Sequence, residues 1–240
     1  MLGGNQTASA GAYGADRYSL AAPKLAEYMR EFLKQEAGSA TLIRLPRNAH
    51  VFNCGDRDDD LYLIESGQVK TVTYSRSGKQ CLLSIYAAGD IFGELYQPDY
   101  GRTETATAMR LTTLRRIPFA KFRAALVDQN LLEAFLGYLI SRLAQQQQII
   151  TNLVTMDSER RLAAALLTLA NKLGKKQPNG IRIEQRITQE ELSGMVGTTR
   201  SRIGYFLKQF SAAGLVSRLP GSFLVVNDNR LADYLATSSI

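Results

Sequence analysis

Residues Thr188–Phe210 read TQEELSGMVGTTRSRIGYFLKQF, the pattern of two short helices joined by a glycine turn. Thr188 can cap the first helix, with Glu191 reaching back in a capping box. Leu192 and Val196 put an apolar edge inward at i, i+4 spacing. Gly197 permits the left-handed turn that ends this helix, and Thr198 or Thr199 then caps the second. The second helix has an apolar back of Ile203, Phe206, Leu207 and Phe210. Its front carries Arg200, Ser201, Tyr205 and Lys208 on one helical face, with Arg202 beside them. A helix of that kind fits the major groove of duplex DNA, where base edges differ from pair to pair. A two-helix hairpin with a solvated basic face is the plainer alternative. The next segment of chain favours DNA: LVSRLPGSFLVV (Leu215–Val226) alternates apolar residues around Pro220-Gly221 and reads as a hairpin. Two helices followed by a hairpin make a winged helix.

Charge points the same way. The 240-residue chain has a formal net charge of +7. From Asp157 onward there are 12 Lys and Arg against 7 Asp and Glu, whereas residues 1–156 hold 17 against 15. The smaller C-terminal part thus carries most of the excess, as suits the part that meets phosphates. Hydrophobic residues at 45% and charged residues at 21% fit a globular protein, and no apolar run reaches membrane-spanning length. The first twenty residues lack the charged start and apolar core of a secretory signal, so they read as a flexible tail and the protein as cytoplasmic.

Catalytic and metal chemistry find little support. Cys54 and Cys81 are isolated and read as structural residues, with no Cys-x-x-Cys pair for zinc or iron–sulfur ligation. His50, the single histidine, lies in an expected strand and reads as a packing or surface residue. No Ser-His-Asp set or trustworthy carboxylate pair is present, so no catalytic residue is assigned. The run Asp58-Asp59-Asp60 reads as a solvated turn rather than a partner contact.

After an expected helix near residues 21–36, glycines recur at Gly55, Gly67, Gly78 and Gly89, at intervals of 12, 11 and 11 residues. Runs such as LYLIESG, VKTVTYS and CLLSIYA between them predict a β-sandwich or barrel. Between this block and the helical pair, Leu132–Met156 reads as one long helix. Leu132, Leu136, Leu139, Leu143, Gln146, Ile150 and Leu153 step by 4, 3, 4, 3, 4 and 3, a heptad seam with one polar interruption. Such a seam reads as a dimer interface, with a stripe packed against the β block as the competing explanation, and both can hold on different faces. Residues 152–159 are the expected hinge, and residues 174–180, GKKQPNG, the expected surface loop.

GDRDDDLYLIESGQVKT, AGDIFGEL with Arg102-Thr103, and ITQEELSGMVGTTRSRIGYFLKQF together resemble the cyclic-AMP receptor protein and fumarate-nitrate regulator (CRP/FNR) family of bacterial transcription regulators. The resemblance spans nearly the whole chain beyond the N-terminal tail. It implies an α+β fold: an N-terminal β-roll of the cyclic-nucleotide-binding jelly-roll type, a long dimerisation helix, and a C-terminal winged helix-turn-helix. The domains would be a tail at 1–20, a sensor at 21–130, the dimer helix and hinge at 131–156, and the DNA-binding domain at 157–240. In members that bind a cyclic nucleotide, a Glu binds the ribose, while an Arg with its neighbouring hydroxyl and glycine backbone hold the phosphate. Those roles would fall on Glu94, on Arg102 with Thr103, and on Gly93 and Leu95, with Gln146 and Gln147 facing the base. Glu104 stands where the family usually has a small residue. The effector would then be cAMP or another cyclic nucleotide. In the alternative, Glu94 and Arg102 form a structural salt bridge in a roll without ligand. The implied partners are a palindromic double-stranded DNA, read by Thr188, Thr198, Thr199, Arg200, Ser201, Arg202, Tyr205 and Lys208, a second copy of the chain, and RNA polymerase. A cyclic-nucleotide module docking a protein partner is the competing class.

Overall fold

A computed structural model describes residues 41–128 and 131–237. The expected tail at 1–20 and the expected helix near 21–36 lie outside the described residues. Among the described residues, ten strands form the N-terminal half. They are β1 (Thr41–Leu45), β2 (His50–Phe52), β3 (Leu61–Ser66), β4 (Gln68–Tyr74), β5 (Gln80–Ala87), β6 (Ile91–Phe92), β7 (Tyr96–Gln97), β8 (Gly101–Arg102), β9 (Thr105–Ala108) and β10 (Thr112–Ile117). Two four-stranded antiparallel sheets, β1-β10-β3-β6 and β2-β9-β4-β5, are joined by short turns. Their inner faces enclose Phe52, Tyr62, Ile64, Val69, Tyr86, Phe92, Ala106 and Leu114. The continuous apolar run LYLI of β3 is buried on both sides. Tyr62 and Ile64 face the roll interior, while Leu61 and Leu63 pack outward under helices. Gly67 closes the tight β3–β4 turn at φ 95°, where a Cβ would come within 2.5 Å of Thr112 Oγ1.

Helix α1 (Phe119–Asp128) and the long helix α2 (Leu132–Thr155) cover that outer face with Phe122, Leu126 and Tyr138. The rest of α2 is another matter: Leu132, Leu136, Ile140, Leu143, Ile149, Ile150, Leu153 and Val154 are all exposed in the single chain. Leu139 differs from the other seam positions, being partly buried against the roll cluster.

The C-terminal half contains α3 (Ser158–Leu173), β11 (Gly174–Gln177), β12 (Gly180–Ile183), α4 (Gln189–Val196), α5 (Arg200–Ala212), β13 (Val216–Leu219), β14 (Phe223–Val226) and α6 (Asp228–Thr237). The sheet order is β11-β12-β14-β13. Residues 174–180 are therefore a strand and turn rather than a plain loop. Gly174–Gln177 has no apolar alternation to announce it, and it is a strand because it pairs with β12, whose Ile181 and Ile183 are buried. The break between α2 and α3 is narrower than the expected hinge. Helix α2 continues through Thr155, and Asp157 caps α3 by accepting from Arg160 N at 2.9 Å. Cys54 and Cys81 are exposed free thiols. No helix among the described residues is long and apolar enough to cross a membrane.

The two halves share a core. Val72, Leu82, Ile85 and Met109 of the roll are continuous with Leu162, Leu166, Leu192 and Val196 of the helical domain. Two ion pairs span the seam: Lys70 Nζ to Glu191 Oε1 at 2.6 Å and Lys172 Nζ to Asp90 Oδ2 at 3.0 Å. Gly194 of α4 lies so close to β5 that a Cβ there would stand 3.2 Å from the Gln80 carbonyl oxygen. Burial alone would raise the Glu191 pKa, but the Lys70 ammonium and the Thr188 amide together hold it below the usual carboxylate value. Its contribution to stability is therefore present above the unfolded carboxylate range and lost as pH falls through the depressed value. Lys70→Met is expected to cost about 1–2 kcal/mol at neutral pH, by denaturant unfolding, with the loss fading in acid. An unchanged midpoint at pH 7 would show that the pair contributes nothing net.

Candidate effector site and DNA-reading surface

The turn after β6 and the strand β8 bring Gly93, Glu94 and Arg102 to one region of the roll. Gly93 has φ 97°, and a Cβ on it would meet the Asp60 carbonyl oxygen at 2.8 Å and Arg102 Nη1 at 3.3 Å. Only glycine fits there. Arg102 is only 1% exposed. Its Nη1 donates to the Gly93 carbonyl at 2.5 Å, and Nη2 donates to Asp58 Oδ1 and the Asp60 carbonyl, both at 2.6 Å. The guanidinium lies 4.3 Å from the Phe52 ring centroid. Its Nε is buried without a hydrogen-bond partner.

Glu94 does not pair with Arg102, so the structural salt bridge considered from sequence is absent. Glu94 Oε1 instead accepts from the Tyr138 hydroxyl at 3.2 Å and sits 3.4 Å from Arg142 Nε, both on the long helix. Arg142 also donates to Ser84 Oγ at 3.1 Å and to the Tyr86 hydroxyl at 2.5 Å. Burial, reinforced by Glu94, pushes the Tyr86 phenol far above its usual range, and it stays a neutral hydroxyl. Thr103 is half-buried beside Arg102, and Leu95 is exposed. Gln146 and Gln147 are exposed on α2 beyond Arg142. The acidic run also departs from the solvated turn expected of it. Asp58 pairs with Arg102, and the buried Asp60 pairs with Arg116. Among the described residues no cluster of three or more His, Cys, Asp or Glu could hold a metal ion.

The helical pair forms as its local signals require. Glu191 N donates to Thr188 Oγ1 at 3.1 Å and Thr188 N to Glu191 Oε2 at 2.8 Å, completing the capping box. Gly197 adopts the left-handed conformation at φ 70° and ψ 42°, and Thr199 is the residue that caps α5. Thr198 is buried. Ile203, Phe206, Leu207 and Phe210 are buried, and Arg200, Ser201, Arg202, Tyr205 and Lys208 are exposed. Ser217 and Arg218 on β13, the strand that follows α5, are also exposed, two polar positions the sequence reading passed over.

Two family models match the chain, a cyclic nucleotide-binding domain over residues 42–129 and a Crp-like helix-turn-helix domain over residues 160–234. A CRP-like cAMP-activated global transcriptional regulator of Mycobacterium tuberculosis is 32% identical over 194 residues, covering 79% of this chain and 86% of that protein. The cAMP-activated global transcriptional regulator CRP of Pasteurella multocida is 28% identical over 191 residues, covering 78% and 90%. Among solved structures, a CooA mutant from Carboxydothermus hydrogenoformans superposes with a TM-score of 0.70 at 25% identity, covering 85% of this chain and 90% of that one. FixK2 from Bradyrhizobium japonicum shares the fold at a TM-score of 0.70 and 17% identity, covering 81% and 96%. The chain belongs to the CRP/FNR family of transcription regulators. It thereby has the α+β architecture of that family and a regulator's role rather than an enzyme's.

Within this CRP/FNR roll, Glu104 is the chemically unusual group. It is 2% exposed, and burial pushes its carboxyl up from 4.5 to about 6, with Thr71 working against the rise and Glu94 adding to it. A carboxyl whose folded pKa is raised favours the protonated native state, so stability falls as pH rises from 4.5 to about 6 and stays lower above. Glu104→Gln removes that penalty and is expected to raise stability at pH 7.5 by about 2 kcal/mol. Thermal unfolding of both proteins across pH 4–8 tests it, and identical pH profiles would remove Glu104 as the source.

Proposed function

We propose that this regulator is a homodimer that reads a palindromic DNA site through α5 and answers to a cyclic nucleotide, cAMP or a close relative, bound in the roll. DNA reading is carried by one observation: α5 has a packed back, while Arg200, Ser201, Arg202, Tyr205 and Lys208 are exposed on its front. Arg200, in the first turn, has the donor geometry for the O6 and N7 acceptors of guanine, and Lys208 suits a phosphate. A palindromic operator needs a two-fold axis, and the exposed apolar length of α2 supplies a surface that a second copy can cover. RNA polymerase is the partner expected of a bound activator. Arg200→Ala is expected to weaken specific binding by about 1–3 kcal/mol and relax one base position, read by mobility shift on a set of operator variants. Equal weakening on every sequence would remove its base-reading role.

The effector reading rests on Arg102, a buried cation whose Nε lacks a partner, beside the Gly93 backbone, Thr103 and the Glu94 carboxylate. An arginine and a hydroxyl can clamp a phosphate, and a carboxylate can accept from a ribose hydroxyl. The cAMP-activated relatives from Mycobacterium tuberculosis and Pasteurella multocida support the same ligand class. Glu94 touches Tyr138 and Arg142 of α2, so a ligand bonding Glu94 would act directly on the helix between the two halves. Gln146 and Gln147 would face the base only once a second copy brings its helix alongside. Calorimetry with cAMP should show binding to the native chain and none to Arg102→Ala. Equal heats for both proteins would dismiss the roll as the cyclic-nucleotide site.

A further inference from the structure

Arg102 already holds an anion of the protein's own. We propose that Asp58 is the resident counter-ion of the Arg102 site, occupying the place that an effector phosphate must take, so that its displacement sets the site's affinity; this rests on the reading of the roll as a cyclic-nucleotide site. Three acceptors meet the two terminal nitrogens of Arg102. Two are neutral backbone carbonyls, of Gly93 just after β6 and Asp60 just before β3, and only Asp58 brings negative charge. A buried guanidinium left without an anion is costly, so the unliganded roll needs Asp58.

The pair is asymmetric, and that makes exchange feasible. The Arg102 side chain is 0% exposed while that of Asp58 is 28% exposed. Asp58 can turn to water and recover its hydration; Arg102 cannot. A phosphate is also the better partner. The carboxylate leaves Arg102 Nε buried and unpaired, whereas a phosphate offers further acceptor oxygens to the same cation. Both anions together would place two negative charges on one buried positive group, so binding is exchange rather than addition.

The segment carrying Asp58 is stitched to the loop carrying Arg102. Gly55 N donates to the Arg102 carbonyl at 2.8 Å and Arg102 N to the Asp56 carbonyl at 2.9 Å. Arg57 Nη1 donates to the carbonyls of Pro98 and Asp99 at 3.0 and 3.1 Å. Asp58 Oδ1 has one further tie, from the Tyr62 hydroxyl at 3.3 Å. Released by an incoming phosphate, Asp58 loses both anchors while the backbone stitches keep the two loops together.

Calorimetry and melting of the full chain with cAMP as probe test this on Asp58→Asn, which keeps shape and an acceptor but no charge, with Arg102→Ala as reference. Asp58→Asn should bind about tenfold tighter than the native chain, melt lower without ligand, and gain more in melting temperature when cAMP is added. Native-like or weaker affinity, with Arg102→Ala still abolishing binding, overturns the role of Asp58 and leaves the effector site standing. If the native chain and Asp58→Asn both fail to bind cAMP, the effector reading falls and the proposal with it. Should Asp58→Asn fail to fold, Tyr62→Phe decides: it loosens Asp58 alone and should tighten binding about two- to threefold, and no gain counts against the exchange.

Discussion

A cation that cannot reach water dictates the construction of the N-terminal half. With Arg102 1% exposed, the surrounding chain has to supply carbonyls, an aromatic face and an anion, and it draws them from elements far apart in sequence. Phe52 comes from β2, Asp58 and Asp60 from the segment before β3, and Gly93 from the turn after β6. Replacing the whole Arg102–Asp58 pair by well-packed hydrophobes would cost the fold little in principle, because buried ion pairs rarely repay their desolvation. Its retention in the heart of a β-roll is better explained by a task that needs positive charge.

The charge network does not stop at the cassette. Glu94 carries it to Tyr138 and Arg142 on the long helix, and Arg142 returns it to Ser84 and Tyr86 on β5. Strand β5 is also the surface on which Gly194 of the helix-turn-helix rests, and β4 beside it provides Lys70 to Glu191. Glu191 is at the same time the capping-box residue of α4, so one carboxylate serves both the start of that helix and its docking on the roll. A ligand in the roll can bias the reading helix only by favouring one of two arrangements of these contacts. The elements able to differ between such arrangements are few: the α2–α3 break at Met156 and Asp157, and the ion pairs Lys70–Glu191 and Lys172–Asp90.

Legibility in the sequence followed the range of the interactions. The helix-turn-helix was readable because a capping box, a left-handed glycine and an i, i+4 apolar edge are all encoded within a few residues. The strands of the roll were readable from alternation and turn spacing. Asp58 looked like part of a solvated acidic turn, because the partner that buries its charge is 44 residues away. Arg142 sits one step before a predicted seam residue of α2, and no local signal says that its guanidinium reaches Glu94 and Tyr86. Gly174–Gln177 was hidden for a related reason: an all-polar strand is held only by its neighbour.

The long helix shows why a regular repeat still left part of its role undecided. A straight α-helix drifts by about 20° per heptad against a 3.5-residue repeat, so one stripe cannot keep facing one partner over 24 residues. Near its start, Phe135, Tyr138 and Leu139 turn toward the roll and are covered there. After Arg142 the roll falls away. Ile149, Ile150, Leu153 and Val154 then stand exposed on several sides of the rod, more apolar surface than a seven-residue seam requires and more than an isolated helix tolerates in water. The first half of the helix therefore packs on the roll through Phe135, Tyr138 and Leu139, and the apolar residues left exposed along the rod support the proposed covering by a second chain.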